Sequence, residues 1–449
     1  MNPDIFKAYD IRGVYPSDLD EPTARAIGAA FVAYLKAKRI GVGRDMRLSS
    51  PSLAAAFIEG AMSQGADVVD FGMIATDMLY FGVVQEGLDG GVQITASHNP
   101  KQYNGVKMVR AGAVSLSGDE GIGDIRDMIV NNRVPGDASR RGQVTSTDVL
   151  LPYADHVMTF IDTSLIKPFN VVLDAGSGMG GLVAPELFKR LPCKTTRLCF
   201  TPDGHFPNHE ANPLIEENRR DITEEVIRQK ADVGIAWDGD ADRCFFIDGQ
   251  GGFVPGDFVT ALLAEAFLLK HPGATIIYDL RASFAVRDIV AQYGGTSLMN
   301  RVGHAFFKQR MRDTNGIFGG EVTGHYYFRD NFYADNGFIP ALLMLELMAK
   351  KGKSLHELLA PLHAKYFISG EINTKLPSMH VVPDKLNQIA AKYADGRQYT
   401  LDGISVEYPD WHFNVRASNT EPLLRLNLEA ATEAMMKVKR DEVIALIRS

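Results

Sequence analysis

The segment VGIAWDGDADR, residues 233–243, joins a short apolar run to three carboxylates that alternate with small residues. The run Val233–Ala236 is predicted to be a buried β-strand, so the polar stretch Asp238–Arg243 follows its carboxyl end. Open α/β sheets bind their ligands at that edge. The segment therefore predicts an α/β fold and a ligand site at the end of one of its strands.

Strand and helix patterns alternate on both sides of this segment. In the first third, predicted strands at Arg39–Gly43, Asp67–Asp70 and Gly91–Thr95 accompany a helix at Pro51–Gln64. Later predicted elements are Phe169–Asp174, Gly181–Arg190, Lys194–Phe200, Thr223–Lys230, Thr275–Asp279, Ser283–Tyr293, Ser297–Asn300 and Phe338–Lys350. The alternation indicates parallel or mixed sheets with helices on their faces.

The last part of the chain has a different pattern, typical of an α+β domain. Its predicted elements are a helix near Asp384–Tyr393, strands at Ile404–Tyr408 and Leu423–Glu429, and a final helix at Thr432–Ile447. Because 449 residues exceed what one hydrophobic core serves, we expect four domains. Their predicted ranges are 1–142, 143–252, 253–364 and 365–449, with the polar stretch Asn131–Ser146 as the first linker.

Composition excludes some classes of partner. The net charge of −8 argues against nucleic acid and anionic membranes, although a local Arg/Lys cluster can still bind a small anion. No signal-peptide pattern and no apolar run of the ~18 residues that cross a bilayer are present, so a cytoplasmic protein is expected. Cys193, Cys199 and Cys244 lack CxxC spacing, which favours buried thiols over a disulfide framework or a thiolate zinc site.

The three carboxylates of the opening segment are candidate metal ligands. In extended backbone Asp238, Asp240 and Asp242 point to one side, where Mg²⁺ would offset their mutual repulsion. Gly239 is expected to supply a positive φ. A calcium loop is excluded, because it requires Gly in place of Arg243 and Glu in place of Gly249. A solvated acidic turn is the alternative.

The stretch TASHNP, residues 95–100, places a hydroxyl at the end of another core strand. Ser97 is either a turn residue or a nucleophile, and a phosphoserine would add an oxygen to the metal's ligands. His98 is either a proton carrier or a residue that orders the loop. Lys107 follows closely and could neutralise charge or move protons.

Two clusters in the third predicted domain and one in the fourth are candidate ligand-binding loops. His304 follows Gly303 at an expected helix start and is either a proton carrier or a plain helix-start residue. Glu321 and Thr323 are expected on one side of extended backbone, as a sugar-reading loop or as a mere hairpin. The donor-rich loop of the fourth domain is a candidate phosphate cradle formed by Arg416, Ser418, Asn419 and Thr420.

A glycine-rich stretch supports a competing function. Residues 176–181, GSGMGG, follow a predicted strand, satisfy G-x-G-x-x-G and are followed by Asp203 roughly twenty residues on. A nucleotide-dependent oxidoreductase is therefore one alternative, although tight strand–helix turns also need glycine for steric reasons. A non-catalytic sugar-phosphate sensor is another, but it would lack the nucleophile or the triad.

Taken together, TASHNP, DGDADR, GEVTGH and RASNTEP resemble the α-D-phosphohexomutase superfamily in order and spacing, most closely its bacterial phosphomannomutase/phosphoglucomutase branch. The resemblance implies an α/β protein of four domains around a central cleft: three α/β units with mixed sheets, then an α+β domain like the TATA-binding protein. It implies an isomerase-class, intramolecular phosphotransferase that interconverts hexose 6- and 1-phosphates of mannose and glucose. Hexose 1,6-bisphosphate would be the intermediate and activator.

The resemblance also implies roles for individual residues. Ser97 would carry the phosphate and join the Asp triad around Mg²⁺, Arg243 would stabilise the moving phosphoryl group, and Lys107 and His304 would exchange protons. Tyr9, Arg12 and Arg281 would line the cleft, and Glu321 and Thr323 would bind the sugar hydroxyls. The non-reacting phosphate would be held by Arg416, Ser418, Asn419 and Thr420.

Some letters depart from the family pattern. Ala241 and Ala96 stand where glycine is common and are expected to be harmless, and Thr323 replaces the commoner serine. Asn419 favours the mannose/glucose branch over phosphoglucosamine mutase, the remaining alternative, whose cradle is typically RPSGTEP.

Overall fold

The computed structural model describes residues 1–118, 120–418 and 422–449. The chain divides into two compact units. Unit 1 contains Met1–Val254, Met311–Asp313 and Thr323–Leu355; unit 2 contains Pro255–Arg310, Thr314–Val322 and His356–Ser449. The predicted boundaries of four domains stay a prediction, and each unit is described by itself.

Unit 1 begins with a seven-stranded mixed sheet. Its strands are β1 (Ile11–Val14), β2 (Arg39–Arg44), β3 (Asp67–Met73), β4 (Gly90–Ile94), β5 (Tyr103–Arg110), β6 (Val114–Ser115) and β7 (Val144–Ser146). Their order is β1-β5-β4-β2-β3-β7, with β6 paired to β5. The helices are α1 (Glu21–Leu35), α2 (Ser50–Ser63), α3 (Thr76–Gln85) and α4 (Ile122–Val130). Strand β4 lies between parallel β2 and antiparallel β5, and all five of its residues are buried.

A second mixed sheet completes most of unit 1. Its strands are β8 (Asn170–Asp174), β9 (Lys194–Leu198), β10 (Val233–Trp237), β11 (Cys244–Asp248) and β12 (Phe253–Val254), in the order β12-β11-β10-β8-β9. Its helices are α5 (Leu150–Met158), α6 (Gly180–Phe188) and α7 (Arg220–Gln229). Strand β10 is fully buried between parallel β8 and antiparallel β11. The Asp238 loop therefore emerges from the middle of this sheet.

Three parallel strands open unit 2, in the order β14-β13-β15. In chain order the elements are α8 (Gly256–Lys270), β13 (Thr275–Asp279), α9 (Phe284–Gln292), β14 (Thr296–Asn300), α10 (His304–Thr314) and β15 (Phe318–Gly320). The chain then returns to unit 1, which contains the antiparallel strands β16 (Tyr326–Phe328) and β17 (Ala334–Asp335) and the helix α11 (Ile339–Lys351). Pro340 lies in the first turn of α11, and Gly352 ends it in left-handed backbone.

The rest of the chain is the α+β domain expected from the sequence. Helix α12 (Leu355–His363) precedes β18 (Phe367–Lys375), α13 (Val382–Lys392), β19 (Arg397–Tyr399), β20 (Ile404–Glu407), β21 (Trp411–Ala417), β22 (Leu423–Ala430) and α14 (Glu433–Arg448). The five strands form an antiparallel sheet in the order β18-β22-β21-β20-β19. Its buried face packs on α13 and α14 around residues such as Ile389, Phe413 and Val443.

The predicted strands and helices are all present, with ends displaced by at most three residues. The elements that the prediction missed include the long helices α1 and α8 and the strands β5, β11, β18 and β21. Three of these strands, β5, β18 and β21, mix polar side chains into the apolar pattern. The linker assigned to Asn131–Ser146 is wrong at its end, where β7 pairs with β3 as an exposed edge strand. Among the described residues, no helix combines the length and apolar composition needed to cross a bilayer.

Candidate active site

The three carboxylates predicted to bind metal meet at the end of β10. Asp238, Asp240 and Asp242 are at most 1% exposed, and one oxygen from each lies within 4.8 Å of the others. The glycine expectation is wrong in detail, because the left-handed residue is Ala241, with φ +61°. Its methyl group is therefore not harmless and costs about 1–2 kcal/mol in that backbone. Gly239 is needed for space, since a Cβ there would lie 2.5 Å from the carbonyl oxygen of Ser97.

A buried lysine compensates part of this negative charge. Lys107 lies on β5, and its Nζ donates to Oδ2 of Asp240 at 2.7 Å and to Oδ2 of Asp242. Burial lowers the pKa of Lys107, but the charges of Asp240, Asp242 and Asp238 outweigh this and raise it. The lysine is therefore an ammonium ion. Thr76, the first residue of α3, also donates its hydroxyl to Oδ2 of Asp240.

The negative charge of the three carboxylates that Lys107 does not compensate is suited to binding a cation. Burial and the charges of Asp240 and Asp242 raise the pKa of Asp238 to about 7, whereas the Lys107 ammonium holds the pKa of Asp240 below its usual range despite burial. Oδ1 of Asp240 and Oδ1 of Asp242 are buried without a hydrogen-bond partner among the described residues. Three hard oxygens with two orphaned lone-pair sites match the donors of a small divalent cation.

Ser97 lies directly against this cluster. Its Oγ donates to Oδ2 of Asp238 at 2.7 Å, and its backbone N–H donates to the Thr95 hydroxyl at 2.9 Å. The residue is 1% exposed and has a left-handed backbone with φ +50°. Such backbone is uncommon outside glycine and persists where surrounding contacts fix it, often at functional sites.

His98 and Arg243 form a pair beside the serine. Nη2 of Arg243 donates to Nδ1 of His98 at 2.9 Å, so this nitrogen is an acceptor and the ring proton is on Nε2. Burial, followed by the charges of Arg243 and Arg12, keeps the pKa of His98 well below its usual range. The imidazole is therefore neutral. Because its Nδ1 lone pair is already used, the Ser97 hydroxyl 3.2 Å away donates to Asp238 instead.

Sequence analysis missed the residue that holds the serine loop. Arg47 is 1% exposed and donates to the backbone carbonyls of Ser97, Asn99, Pro100 and Tyr103 at 2.6–2.9 Å. Its Nε also donates to the buried carboxylate of Asp45 at 3.2 Å. The available signal was a run of charged residues, Arg44, Asp45 and Arg47, at the end of the largely buried strand β2 and directly after it.

Two residues expected to line the cleft belong to unit 1. Arg12 on β1 donates to Oδ1 of Asn99 at 2.7 Å and also binds Asp10, so it supports the serine loop. Tyr9 immediately precedes this pair and is half-buried. Thr323 is also in unit 1 and is half-buried.

Unit 2 brings together a separate set of predicted residues around one carboxylate. Oε2 of Glu371 accepts from Arg281 at 3.1 Å and from Arg416 at 3.3 Å, and its Oε1 accepts from Arg425 at 3.2 Å. Burial raises the pKa of Glu371, but the charges of Arg281, Arg416 and Arg425 lower it further than burial raises it. Arg281 also binds Asp279 and lies 3.9 Å from Oε2 of Glu321. Three guanidinium groups and the carboxylates of Glu371, Asp279 and Glu321 therefore form one ion-pair cluster.

The other predicted residues have simpler surroundings. Helix α10 begins at His304, as predicted, and Gly303 donates its N–H to Glu321. Residues 322–323 form a turn and residue 324 a bend, so the extended backbone expected through Thr323 is wrong. Ser418 is 2% exposed and follows β21. Asn419 and Thr420 lie outside the described residues.

Models of known protein families match nearly the whole chain. Models of phosphoglucomutase/phosphomannomutase alpha/beta/alpha domains I, II and III match residues 3–133, 152–251 and 255–366, and the C-terminal domain model matches residues 371–446. The chain belongs to the phosphoglucomutase/phosphomannomutase family. Its relatives include a phosphomannomutase of Escherichia coli, 45% identical over 99% of both chains, and the phosphohexose mutases of Xanthomonas campestris pv. campestris strain B100, 41% identical over 99% of both.

A solved structure agrees with this assignment. The phosphoglucomutase/phosphomannomutase family protein of Burkholderia thailandensis is 34% identical and has a TM-score of 0.90, with 100% of this chain and 98% of that chain covered. The fold predicted from the sequence, three α/β units and a C-terminal α+β domain, is therefore confirmed.

Membership of the phosphoglucomutase/phosphomannomutase family leaves the oxidoreductase alternative without support. The glycine-rich loop follows β8 and enters α6, but its glycines serve close packing. A Cβ on Gly178 would lie 2.5 Å from the carbonyl oxygen of Gly239, and one on Gly181 would lie 2.0 Å from that of Phe200. The N–H of Met179 donates to Gly239 at 2.9 Å, so this loop supports the Asp238 loop.

Proposed function

We propose that this protein is a phosphohexomutase that moves a phosphoryl group between C6 and C1 of hexose phosphates, acting on mannose and glucose phosphates. The reaction passes through phosphorylated Ser97 and a hexose 1,6-bisphosphate, which turns round before the enzyme reclaims a phosphate. One observation carries the proposal: the Ser97 hydroxyl lies 2.7 Å from Asp238, within a buried carboxylate triad. A sensor protein would not need both groups together.

The triad is proposed to hold Mg²⁺, with a phosphate oxygen on Ser97 as a further ligand. The orphaned oxygens on Asp240 and Asp242 and the all-carboxylate donor set support this choice. When bound, the ion supplies Lewis-acid stabilisation of the charge on the transferring phosphoryl group. Formal charges agree: three carboxylates, Lys107 and Arg243 sum to −1, so a divalent cation makes the site attractive to phosphate.

Residues around Ser97 are proposed to divide the work of transfer. Arg243 lies on the serine side of the triad and can stabilise the moving phosphoryl group. Lys107, protonated in this state, is suited to supplying charge or a proton, and becomes a base only after losing one. His98 is better suited to orienting Arg243 than to removing the Ser97 proton, because its acceptor nitrogen is already bound.

Most of the residues that we propose to bind the substrate belong to unit 2. Arg281 and Arg416 already bind one carboxylate, Glu371, which supports the proposal because a phosphate would offer the same guanidinium groups an anionic partner. Ser418, Asn419 and Thr420 complete the proposed cradle, His304 is a proton-exchange candidate, and Glu321 and Thr323 are proposed to read sugar hydroxyls. The proposed setting is the cytoplasm, with neither nucleic acid nor membrane as a partner.

The glucosamine alternative is not favoured. Eight relatives at 40–45% identity are named phosphomannomutase or phosphohexose mutases, and each match covers at least 98% of this chain. Those names describe the relatives. They support, for this chain, the hexoses that bear a hydroxyl at C2.

Replacing Ser97 by alanine tests the proposal. We expect intact-mass spectra of the wild type, after incubation with glucose 1,6-bisphosphate and Mg²⁺, to gain one phosphoryl group, and Ser97→Ala to gain none and lose mutase activity. Ser177→Ala is the matched control, because Ser177 is also buried and left-handed, with φ +56°. A phosphoryl group retained on Ser97→Ala would refute the assignment.

A further inference from the structure

A second cluster of metal-ligating side chains lies at the edge of the second sheet and has no part in phosphoryl transfer. Asp174 ends β8, Cys199 directly follows β9, and His209 lies ten residues further along the same loop. Strands β8 and β9 are parallel, with Asp174 paired to Leu198, so Asp174 and Cys199 emerge side by side. One carboxylate oxygen, the thiol sulfur and a ring nitrogen all lie within 4.8 Å of one another.

The hydrogen bonds of His209 fix how its ring can be used. Nδ1 donates to the backbone carbonyl of Glu210 at 3.0 Å, which turns Nε2 toward Oδ2 of Asp174, also at 3.0 Å. Facing a carboxylate, Nε2 must carry either a proton or a metal ion. A cationic group is therefore required at Nε2.

The distances match a tetrahedral ion that binds sulfur and nitrogen. Typical zinc bond lengths place a thiolate and an imidazole nitrogen about 3.5 Å apart, and a nitrogen and a carboxylate oxygen about 3.3 Å apart. Nε2 of His209 lies 3.8 Å from Sγ of Cys199 and 3.0 Å from Oδ2 of Asp174. Both observed separations lie within about 0.3 Å of the expected ones.

Outer hydrogen bonds hold the same three residues in place. The other Asp174 oxygen, Oδ1, accepts from the N–H of Gly176 at 2.9 Å, which leaves Oδ2 for the cluster. The Cys199 carbonyl accepts from the N–H of Ser177 at 2.8 Å, and Cys199 has left-handed backbone with φ +53°. A histidine whose second nitrogen binds a backbone carbonyl is the usual arrangement at zinc sites.

We propose that Asp174, Cys199 and His209 form a binding site for one thiophilic divalent cation of the zinc class, with an exogenous fourth ligand. Binding replaces the proton on Nε2 of His209 and the proton on Sγ of Cys199, both of which pass to solvent. The donor set separates this site from the Asp238 triad, because thiolate and imidazole favour zinc over Mg²⁺ whereas three carboxylates favour Mg²⁺. Without metal, the same residues form an imidazolium–carboxylate pair that fastens the loop after β9 to β8.

Cobalt titration tests the site directly, since a thiolate bound to Co²⁺ gives a charge-transfer absorption that an all-carboxylate site cannot produce. We expect this band to saturate at one equivalent of Co²⁺ in the wild type, to be displaced by Zn²⁺, and to disappear in Cys199→Ser. His209→Gln should weaken Co²⁺ binding at least tenfold. Cys193→Ser is the matched control and should keep the band, because Cys193 is the other half-buried thiol and burial raises its pKa to about 11.

A second measurement needs no variant and so does not depend on the folding of Cys199→Ser. Thiol alkylation of the wild-type protein, mapped by peptide mass spectrometry, should show Zn²⁺ protecting Cys199 but not Cys193. The proposal is overturned if the wild type gives no thiolate band, if the band survives loss of Cys199, or if Zn²⁺ leaves the alkylation of Cys199 unchanged.

Discussion

Asp238 is buried beside two other carboxylates, which raise its pKa to about 7 in the metal-free protein. A carboxylate whose pKa is higher in the folded than in the unfolded chain stabilises the fold at low pH. That contribution is lost as the pH rises through about 7. Bound Mg²⁺ reverses the preference, because a ligand must be deprotonated. Protons and Mg²⁺ therefore compete for Asp238.

We predict that Mg²⁺ affinity falls by about tenfold per pH unit below pH 7 and levels off above it. Asp240 contributes no such slope, because the Lys107 ammonium holds its pKa below the usual range. Calorimetric Mg²⁺ titrations between about pH 6 and about pH 8 measure the effect through affinity and proton release. Asp238→Asn is the control and should bind weakly with little pH dependence. Equal wild-type affinities across this range would contradict the prediction.

Arg416 was expected on an exposed loop, but it lies on β21 and is 8% exposed. We predict that Arg416→Ala raises the substrate KM by at least tenfold, because a charge-assisted phosphate contact contributes about 1.5–3 kcal/mol. The loss of stability should be modest, since Arg281 and Arg425 still bind Glu371. Kinetics and thermal melting measure the two effects separately.

Arg425→Ala is the matched control, because Arg425 contacts the same carboxylate but is not a proposed phosphate ligand. It should lower the melting temperature by a similar amount and leave KM within a few-fold of wild type. If the two variants have the same KM, Arg416 acts only through Glu371 and the phosphate assignment is wrong.

At the scale of elements, the loops after β4 and β10 touch through backbone. A Cβ on residue 239 would lie 2.5 Å from the Ser97 carbonyl oxygen, which also accepts a hydrogen bond from Nη2 of Arg47 at 2.8 Å. The serine loop therefore cannot retreat without breaking that hydrogen bond. Glycine at 239 sets how closely nucleophile and triad approach.

We predict that Gly239→Ala destabilises the protein by about 1–3 kcal/mol and lowers kcat at least tenfold, because it separates Ser97 from Asp238. Steady-state kinetics and thermal melting check this. Gly136→Ala is the control, since Gly136 is exposed and has no atom within 4 Å of an added Cβ. A Gly239→Ala enzyme with wild-type kcat would show that the close approach is not required.

At the scale of the whole molecule, the proposed reaction makes one site accept a bisphosphate in two orientations. Turning the sugar exchanges the C1 and C6 phosphates and interchanges the 3- and 4-hydroxyls, so these can be read in either orientation. The 2-position moves to a different place on turning. No single fixed contact can therefore read the centre at which mannose and glucose differ.

We predict that kcat/KM for mannose 1-phosphate and glucose 1-phosphate agrees within about tenfold, or 1.4 kcal/mol. Coupled assays with a hexose 1,6-bisphosphate activator measure both, and glucosamine 1-phosphate, which carries charge at C2, should be handled worse. A site that bonds a specific hydroxyl can discriminate by ~10⁴. A preference above a hundredfold would mean that some group reads C2.

Sequence patterns predicted the fold and the positions of Ser97 and the triad well, since buried strands and the polar loops after them leave a local signal. They did not predict the role of Arg47, because its partners are backbone carbonyls up to 56 positions away. Every residue has a backbone carbonyl, so such partners leave no mark in the amino-acid sequence. The sequence also suggested a positive φ at Gly239, but the positive φ is at Ala241, and Gly239 is needed for close approach to Ser97. Both properties depend on packing, which the local sequence does not show. The sequence likewise does not distinguish the half-buried Cys193 from Cys199, because only the fold brings His209 close to Cys199.

Arg47 has a consequence for anyone who wishes to transplant the serine loop into another scaffold. The guanidinium of Arg47, which lies in a separate stretch of the chain, donates hydrogen bonds to four carbonyls of that loop. Residues 95–103 therefore do not form a complete unit for transfer. A graft of those residues alone would leave its carbonyls unsatisfied and lose the left-handed serine. The smallest portable module is discontinuous: the loop, Arg47, and the Asp45 carboxylate that keeps the guanidinium in place.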